Sequence, residues 1–349
     1  MRNLFEGAGR YLIRGLMLFL LFAQVCCADN GNNTPPPNAV VESVLKVDGK
    51  KYELINGNLY EIFSSDKKKF ILKMYEPRHI EKTYKKEKDG IHRMISPSEK
   101  YLVPDSHTES FEGDGDLVSL FEQRDYWTSM TLLSPATPTV KSYVELRKKI
   151  MNREADFIDN SLTLTKERAH QGVRSLKCLS VDPTGRGKTS WITKASLDTG
   201  LVYYERGDTV IFSSYFYLEQ GVPTGIVDIE ASYVNEGPGV RILFSEDLRP
   251  RVELKWADKP TWRIPKSVDY KFPLKKWVFV ELKVFLSEDQ QGTVEMKIDG
   301  KTLIKGKGQT LPFAKAVYDR MEVGITANGS GSDCILFVDE VQTKRLSEK

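Results

Sequence analysis

The residues best suited to chemistry in this chain lie on short alternating runs between positions 208 and 285. Asp228 and Glu230 flank Ile229 in the run IVDIE. On a strand, residues two apart point to the same side, so both carboxylates stand together. That spacing suits proton transfer. It equally suits a carboxylate pair bonded to Arg241 or Arg251. Elimination at a uronate needs a base for the proton beside the carboxylate, and a cation to neutralise that carboxylate. Tyr215, Tyr217 and His170 are the candidate bases, and Arg241, Arg251 and Lys255 the candidate neutralisers. The four histidines (His79, His92, His107 and His170) are scattered, and none has a partner at metal-ligand spacing.

Period-two geometry assigns these residues to faces. Ser213, Tyr215 and Tyr217 oppose Val210, Phe212, Phe216 and Leu218; Asp228 and Glu230 oppose Val227 and Ile229. Arg241 opposes Val240 and Ile242, and Arg251, Glu253 and Lys255 oppose Val252, Leu254 and Trp256. If consecutive strands lie side by side, these polar residues form one face that can bind a polysaccharide. The alternative is an ordinary solvated outer face. Trp256 and Trp262 flank Lys259; Trp256 has core parity, whereas Trp262 is a candidate for stacking on a sugar.

Three patterns carry simpler readings. Gly185-Arg186-Gly187-Lys188-Thr189 echoes a phosphate loop, but Asp182 stands where the first glycine belongs. Arg206-Gly207-Asp208 reads as a turn opening a strand. Asn32-Asn33-Thr34 and Asn328-Gly329-Ser330 are glycosylation sequons, with meaning only in a eukaryotic secretory pathway.

The elements that must position these residues are strands. From Asp208 to Gln342, runs rich in Val, Ile, Phe and Tyr alternate with polar residues and are punctuated by Gly, Pro, Asn or Asp. This predicts an all-β fold, an antiparallel β-sandwich (jelly roll) over residues 106–345. Residues 143–158 have the spacing of a short helical insertion. Residues 41–104 hold a small β-rich segment, Val41 to Met74 with turns at Asp48-Gly49 and Asn56-Gly57, and then a connector of low order from Pro77 to Pro104.

Composition sets the setting. The 349 residues are 40% hydrophobic and 28% charged, with 51 basic against 48 acidic side chains. The resulting net charge of +3 gives no argument for nucleic acid. Arg2, Arg10 and Arg14 precede the apolar run Gly15 to Val25, which predicts a signal peptide over 1–28 and hence an exported, periplasmic or extracellular protein. A lipid anchor on Cys26 or Cys27 is the alternative. A Pro-rich linker follows at 29–40. Cys178 and Cys334 then remain, either as one disulfide or as two buried thiols.

The opening FEGDG, then GVRSLKCLSV, KWVFVELKVFL, TVEMKIDGKTLI and the closing CILFVDEVQ resemble the concanavalin A-like lectin/glucanase superfamily over about residues 111–345, nearest its polysaccharide-lyase-like branch. The resemblance implies a jelly roll and a carbohydrate partner, and leaves lectin, lyase and non-catalytic structural or adhesive roles open. Laminarinase-type glucanases place another Glu two positions before the Asp of their motif. Here that position is Ile226, which argues against a hydrolase. No lyase-type Gln-x-His strand is present. The resemblance also implies a possible structural calcium, with Asp114, Asp116 and Asp339 as candidate ligands. The expected function is recognition of a polysaccharide, possibly acidic; the alternative is β-elimination by a lyase.

Overall fold

A computed structural model describes residues 43–47, 50–55, 58–62, 69–72, 77–123, 125–183, 192–234, 237–255 and 260–347. The chain divides into two compact units, Met1–Glu76 and Pro77–Lys349. The expected signal peptide, linker, Cys26 and Cys27 lie outside the described residues, as do the Gly185–Thr189 run, Trp256 and Lys259.

The first unit holds a four-stranded antiparallel meander of β1 (Ser43–Val47), β2 (Lys50–Ile55), β3 (Asn58–Ile62) and β4 (Lys69–Leu72). The pairs Val47↔Lys50 and Ile55↔Asn58 close its first two hairpins. Each closure leaves a two-residue connection, at the positions of the two expected Xaa-Gly turns.

The second unit opens with α1 (Pro77–Thr83) and a three-stranded sheet of β5 (Tyr84–Glu87), β6 (Gly90–Ser96) and β7 (Glu99–Val103). The expected connector over 77–104 is therefore ordered. Tyr84, Ile91 and Val103 are buried, and the Tyr84 hydroxyl donates to the Gly200 carbonyl at 2.7 Å. These anchors tie the small sheet to the sandwich, although charged residues elsewhere in the segment mask its periodicity.

Next come β8 (Ser106–Glu109), α2 (Leu117–Gln123), β9 (Ser129–Thr131) and α3 (Val140–Met151). Helix α3 starts three residues before the expected position. Its N-cap Thr139 and Ser142 form a reciprocal capping box, a local signal that apolar spacing does not carry. The remaining strands are β10 (Ser161–Thr165), β11 (Ser175–Ser180), β12 (Thr193–Thr199), β13 (Asp208–Gln220), β14 (Gly225–Glu230), β15 (Gly239–Phe244) and β16 (Pro250–Leu254). They continue with β17 (Thr261–Arg263), β18 (Trp277–Phe285), β19 (Thr293–Ile298), β20 (Lys301–Lys307), β21 (Arg320–Asn328) and β22 (Cys334–Ser347).

These strands build two antiparallel sheets, the sandwich expected from the alternation. Sheet I runs β10-β11-β22-β13-β18-β19-β20, with β8 also pairing β22; sheet II runs β17-β16-β15-β14-β21-β12-β9. Strand β18 shows why. Val278, Val280, Leu282 and Val284 point inward and are buried, while Trp277, Phe279, Glu281 and Lys283 point outward. Each inward aliphatic side chain contributes about 1.5–3 kcal/mol on leaving water. The two layers approach closely at Gly324. Its φ is +123°, and a Cβ there would lie 2.9 Å from the Cys178 sulfur.

Of the two alternatives for the cysteines the structure has the second: Cys178 and Cys334 are free, buried thiols. They do lie on paired strands, but Cys178 faces Leu336 and Cys334 faces Ser180. A diagonal placement of this kind separates Cα atoms by roughly 7–8 Å, too far for a strain-free bridge.

Candidate functional site

The expected single polar face is divided between the two sheets. Strand β13 belongs to sheet I, whereas β14, β15 and β16 belong to sheet II. Ser213, Tyr215 and Tyr217 therefore sit on one side of the molecule, and Asp228, Glu230, Arg241, Arg251 and Glu253 on the other. Tyr215, Tyr217 or His170 acting as base cannot meet Arg241 acting as neutraliser. Trp262 also leaves the set. It pairs with Val252 in register, has core parity, and donates its Nε1 to the Lys307 carbonyl at 3.2 Å.

On sheet II the register lines up a row of charge. Glu253 faces Arg241, Arg241 faces Asp228, Asp228 faces Glu322, and Glu322 faces Asp198. Arg320 reaches three carboxylates: Asp198 at 2.9 Å, Glu230 at 3.1 Å and Glu322 at 2.7 Å. Lys194 lies 3.4 Å from Glu322, and Ser196 donates to Glu322 at 2.9 Å. Arg241 bonds Glu253 through both Nε and a terminal nitrogen. Lys194, Asp198, Arg320 and Glu322 were not anticipated. Their signal was present in the alternation of TKASLDT and RMEVGITAN, the strands that flank β14 on its far side.

This face is layered by charge. The carboxylates form its floor: Asp198 is 3% exposed, Glu230 8%, Glu253 7% and Glu322 0%. The cations stand above them, with Lys194 18%, Arg241 22%, Arg251 20% and Arg320 26% exposed. Glu230 is covered by the turn after β14. The backbone of Gly237 has φ +51°, and a Cβ there would come within 2.7 Å of a Glu230 carboxylate oxygen.

Burial and charge set the protonation of the floor. Desolvation, reinforced by Glu322, pushes Glu230 up to about 7 against the pull of Arg320. Desolvation also raises Asp198 to about 6, opposed by Arg320, and raises Asp228. Burial would raise Glu322 too, but Lys194 and Arg320 outweigh it and hold Glu322 below its ordinary value. Lys255 is pushed down by burial, against the attraction of Glu230 and Asp228.

At the β15–β16 end of the face lies a cleft of about 820 Å³. Its lining includes Thr224, Phe244, Ser245, Asp247, Arg251 and Ser330. Arg251 donates to the Phe244 carbonyl at 3.0 Å, but its buried Nε has no hydrogen-bond partner and sits 3.8 Å from Glu253.

No family model matches the chain, and no curated protein matches its sequence. Several solved structures resemble the chain over half of its length or more. An endo-β-1,4-glucuronan lyase from the fungus Trichoderma reesei is 15% identical, with a TM-score of 0.44 over 54% of this chain and 89% of that one. An alginate lyase in complex with an alginate trisaccharide is 9% identical, with a TM-score of 0.43 over 70% of this chain and 99% of that one. An alginate lyase from a Chlorella virus is 13% identical, with a TM-score of 0.37 over 54% and 89%. The likeness is one of fold.

The other expectations resolve locally. Asp116 accepts from Ser119 at the start of α2 and pairs with Arg153; Asp339 accepts the backbone N–H groups of His170 and Gln171. Neither joins Asp114 in a cluster of metal ligands among the described residues. Asn328 is fully buried and donates to Ser180, Val181 and Ser332 carbonyls, so its sequon cannot carry a glycan. Asp208 is buried and accepts from Ser347, which leaves Arg206-Gly207-Asp208 as a turn.

Proposed function

We propose that the outer face of sheet II binds an acidic polysaccharide. The observation that carries this reading is the layering: half-buried Lys and Arg above buried carboxylates. A chain of uronates meets the cations first, while the floor holds them in place. The cleft beside Arg251 supplies hydroxyl and carboxylate partners for sugar hydroxyls, and Arg251 places a cation in its wall.

The test is calorimetric titration with a hexamer of galacturonate, its methyl ester and a neutral cellohexaose. The uronate binds, and its affinity falls with rising salt. Arg251→Ala weakens it by about tenfold or more, since a bond to a charged group is worth roughly 1.5–3 kcal/mol. Equal affinity for the uronate and its ester defeats the reading.

The raised value of Glu230 favours a second reading, lyase chemistry. A carboxylate titrating near neutrality, beside cations able to neutralise a uronate, has the properties of a proton-transfer group. Lyase action on oligouronates releases an unsaturated product absorbing in the near ultraviolet, and Glu230→Gln abolishes it. A protein that binds uronates and yields no such product acts by binding alone.

A further inference from the structure

We propose that the opposite side of the molecule, the outer face of sheet I, carries a second and separate sugar site, built from Trp277, Tyr217 and the 166–173 loop, that takes one pyranose ring of an anionic sugar. Trp277 and Tyr217 are register partners on β18 and β13, with ring centroids 5.5 Å apart. The loop lies beside them and is held at its middle and at its far end. Asp339 accepts the His170 N–H at 2.7 Å, and Glu112 accepts the Val173 and Arg174 N–H groups at 2.9 Å each. Within the loop, His170 stacks on Tyr215 at 3.4 Å and stands edge-on to Trp277 at 5.9 Å. Arg168 lies 4.6 Å from the Tyr217 ring centre and pairs with Glu219 at 2.9 Å.

The result is an open cleft of about 660 Å³ with Trp277 and Tyr217 on one side and Lys166, Arg168 and Val173 on the other. A fixed indole in a cleft of this size offers a flat apolar surface to the C–H face of a sugar ring. Tyr217 and His170 hold the indole in place, so little rotamer freedom remains to be lost on binding. The ligand's charge follows from the loop. Glu167 is neutralised by Lys177 at 2.7 Å and Glu219 by Arg168, which leaves the exposed Lys166 without an ion-pair partner among the described residues. An anionic substituent on the stacked ring is its natural counterion. Unlike the layered face, this site selects by ring contact first and by charge second.

The test uses the full chain and the galacturonate hexamer, with its methyl ester as control, by calorimetry. Trp277→Ala is expected to remove the binding event at this cleft, with a loss of tenfold or more. Lys166→Glu weakens the hexamer several-fold and leaves the ester unchanged; being an exposed substitution, it carries the test if Trp277→Ala fails to fold. Arg251→Ala leaves this event intact, so failure of the sheet II reading is seen separately from failure of this one. The proposal is overturned if wild type takes up no hexamer, or if folded Trp277→Ala and Lys166→Glu both bind as wild type does.

Discussion

The two outer faces of this sandwich arise from the same alternation and end as opposite surfaces. On sheet II the outward positions are charged, and the carboxylates among them are buried almost as deeply as the core. On sheet I one end of the β13–β18 pair gathers rings, Tyr215, Tyr217, Trp277 and Phe279, with charge in the loop beside them. The difference lies in what sits across each strand. Asp228 has the cation Arg241 on one side and Glu322 on the other, and Glu322 in turn meets Lys194 and Arg320, so charge is set against charge within the sheet. Tyr215 and Tyr217 have Phe279 and Trp277 across from them, so the rings gather. Polarity in a strand pattern thus marks a face as outward, but the cross-strand neighbours decide what that face becomes.

The comparison breaks most easily at Glu322. Glu322→Ala takes from Lys194 its ion-pair partner and from Arg320 one of its three carboxylates, in a buried setting. Breaking a buried ionic network in this way costs about 3–5 kcal/mol. Urea unfolding measures it. A loss under about 1 kcal/mol would mean that the sheet II face is wetted like any outer surface and is no different in kind from sheet I.

The next effect is in pH. Glu230 and Asp198 have folded values of about 7 and about 6, above the ordinary carboxylate range. Between that range and those values, the folded state holds more protons than the unfolded one. Their contribution is therefore fully present below about pH 4 and is lost as pH rises through about 7. Glu322, held low, works the other way: its contribution is present above the ordinary range and is lost as pH falls. Each such proton changes stability by at most about 1.4 kcal/mol per pH unit. Glu230→Gln is expected to flatten the decline of the melting temperature between about pH 4.5 and 7. An unaltered profile would show that the floor carboxylate is solvated after all.

Much of this was legible in the sequence, and the failures have a common cause. Alternation gives the parity of a residue, and parity was read correctly for the outward sets on β13 to β16. It does not say which sheet a strand joins. Strands consecutive in sequence are neighbours only about two-thirds of the time. Here the short link Gly221-Val222-Pro223-Thr224 carries the chain from sheet I to sheet II, and one expected face became two. Arg320 and Glu322 were missed for the same reason: their partners lie on strands far away in sequence. Trp262 has apolar parity when read from its register partner Val252, but its strand is only three residues long, too short to show that alone.

The smallest effect tests the sheet I side. Arg168 lies over Tyr217 at the surface, and a cation over a ring there is worth about 0.5–1 kcal/mol. Its pairing with Glu219 is partly exposed and adds between zero and about 1 kcal/mol. Arg168→Ala is therefore expected to shift the urea midpoint slightly, by far less than Glu322→Ala. The two variants together measure how unlike the faces are. If Arg168→Ala were as costly as Glu322→Ala, the loop would be holding sheet I together rather than shaping a cleft on it. A small cost places the 166–173 loop outside the structural core, where its residues are free to serve a ligand.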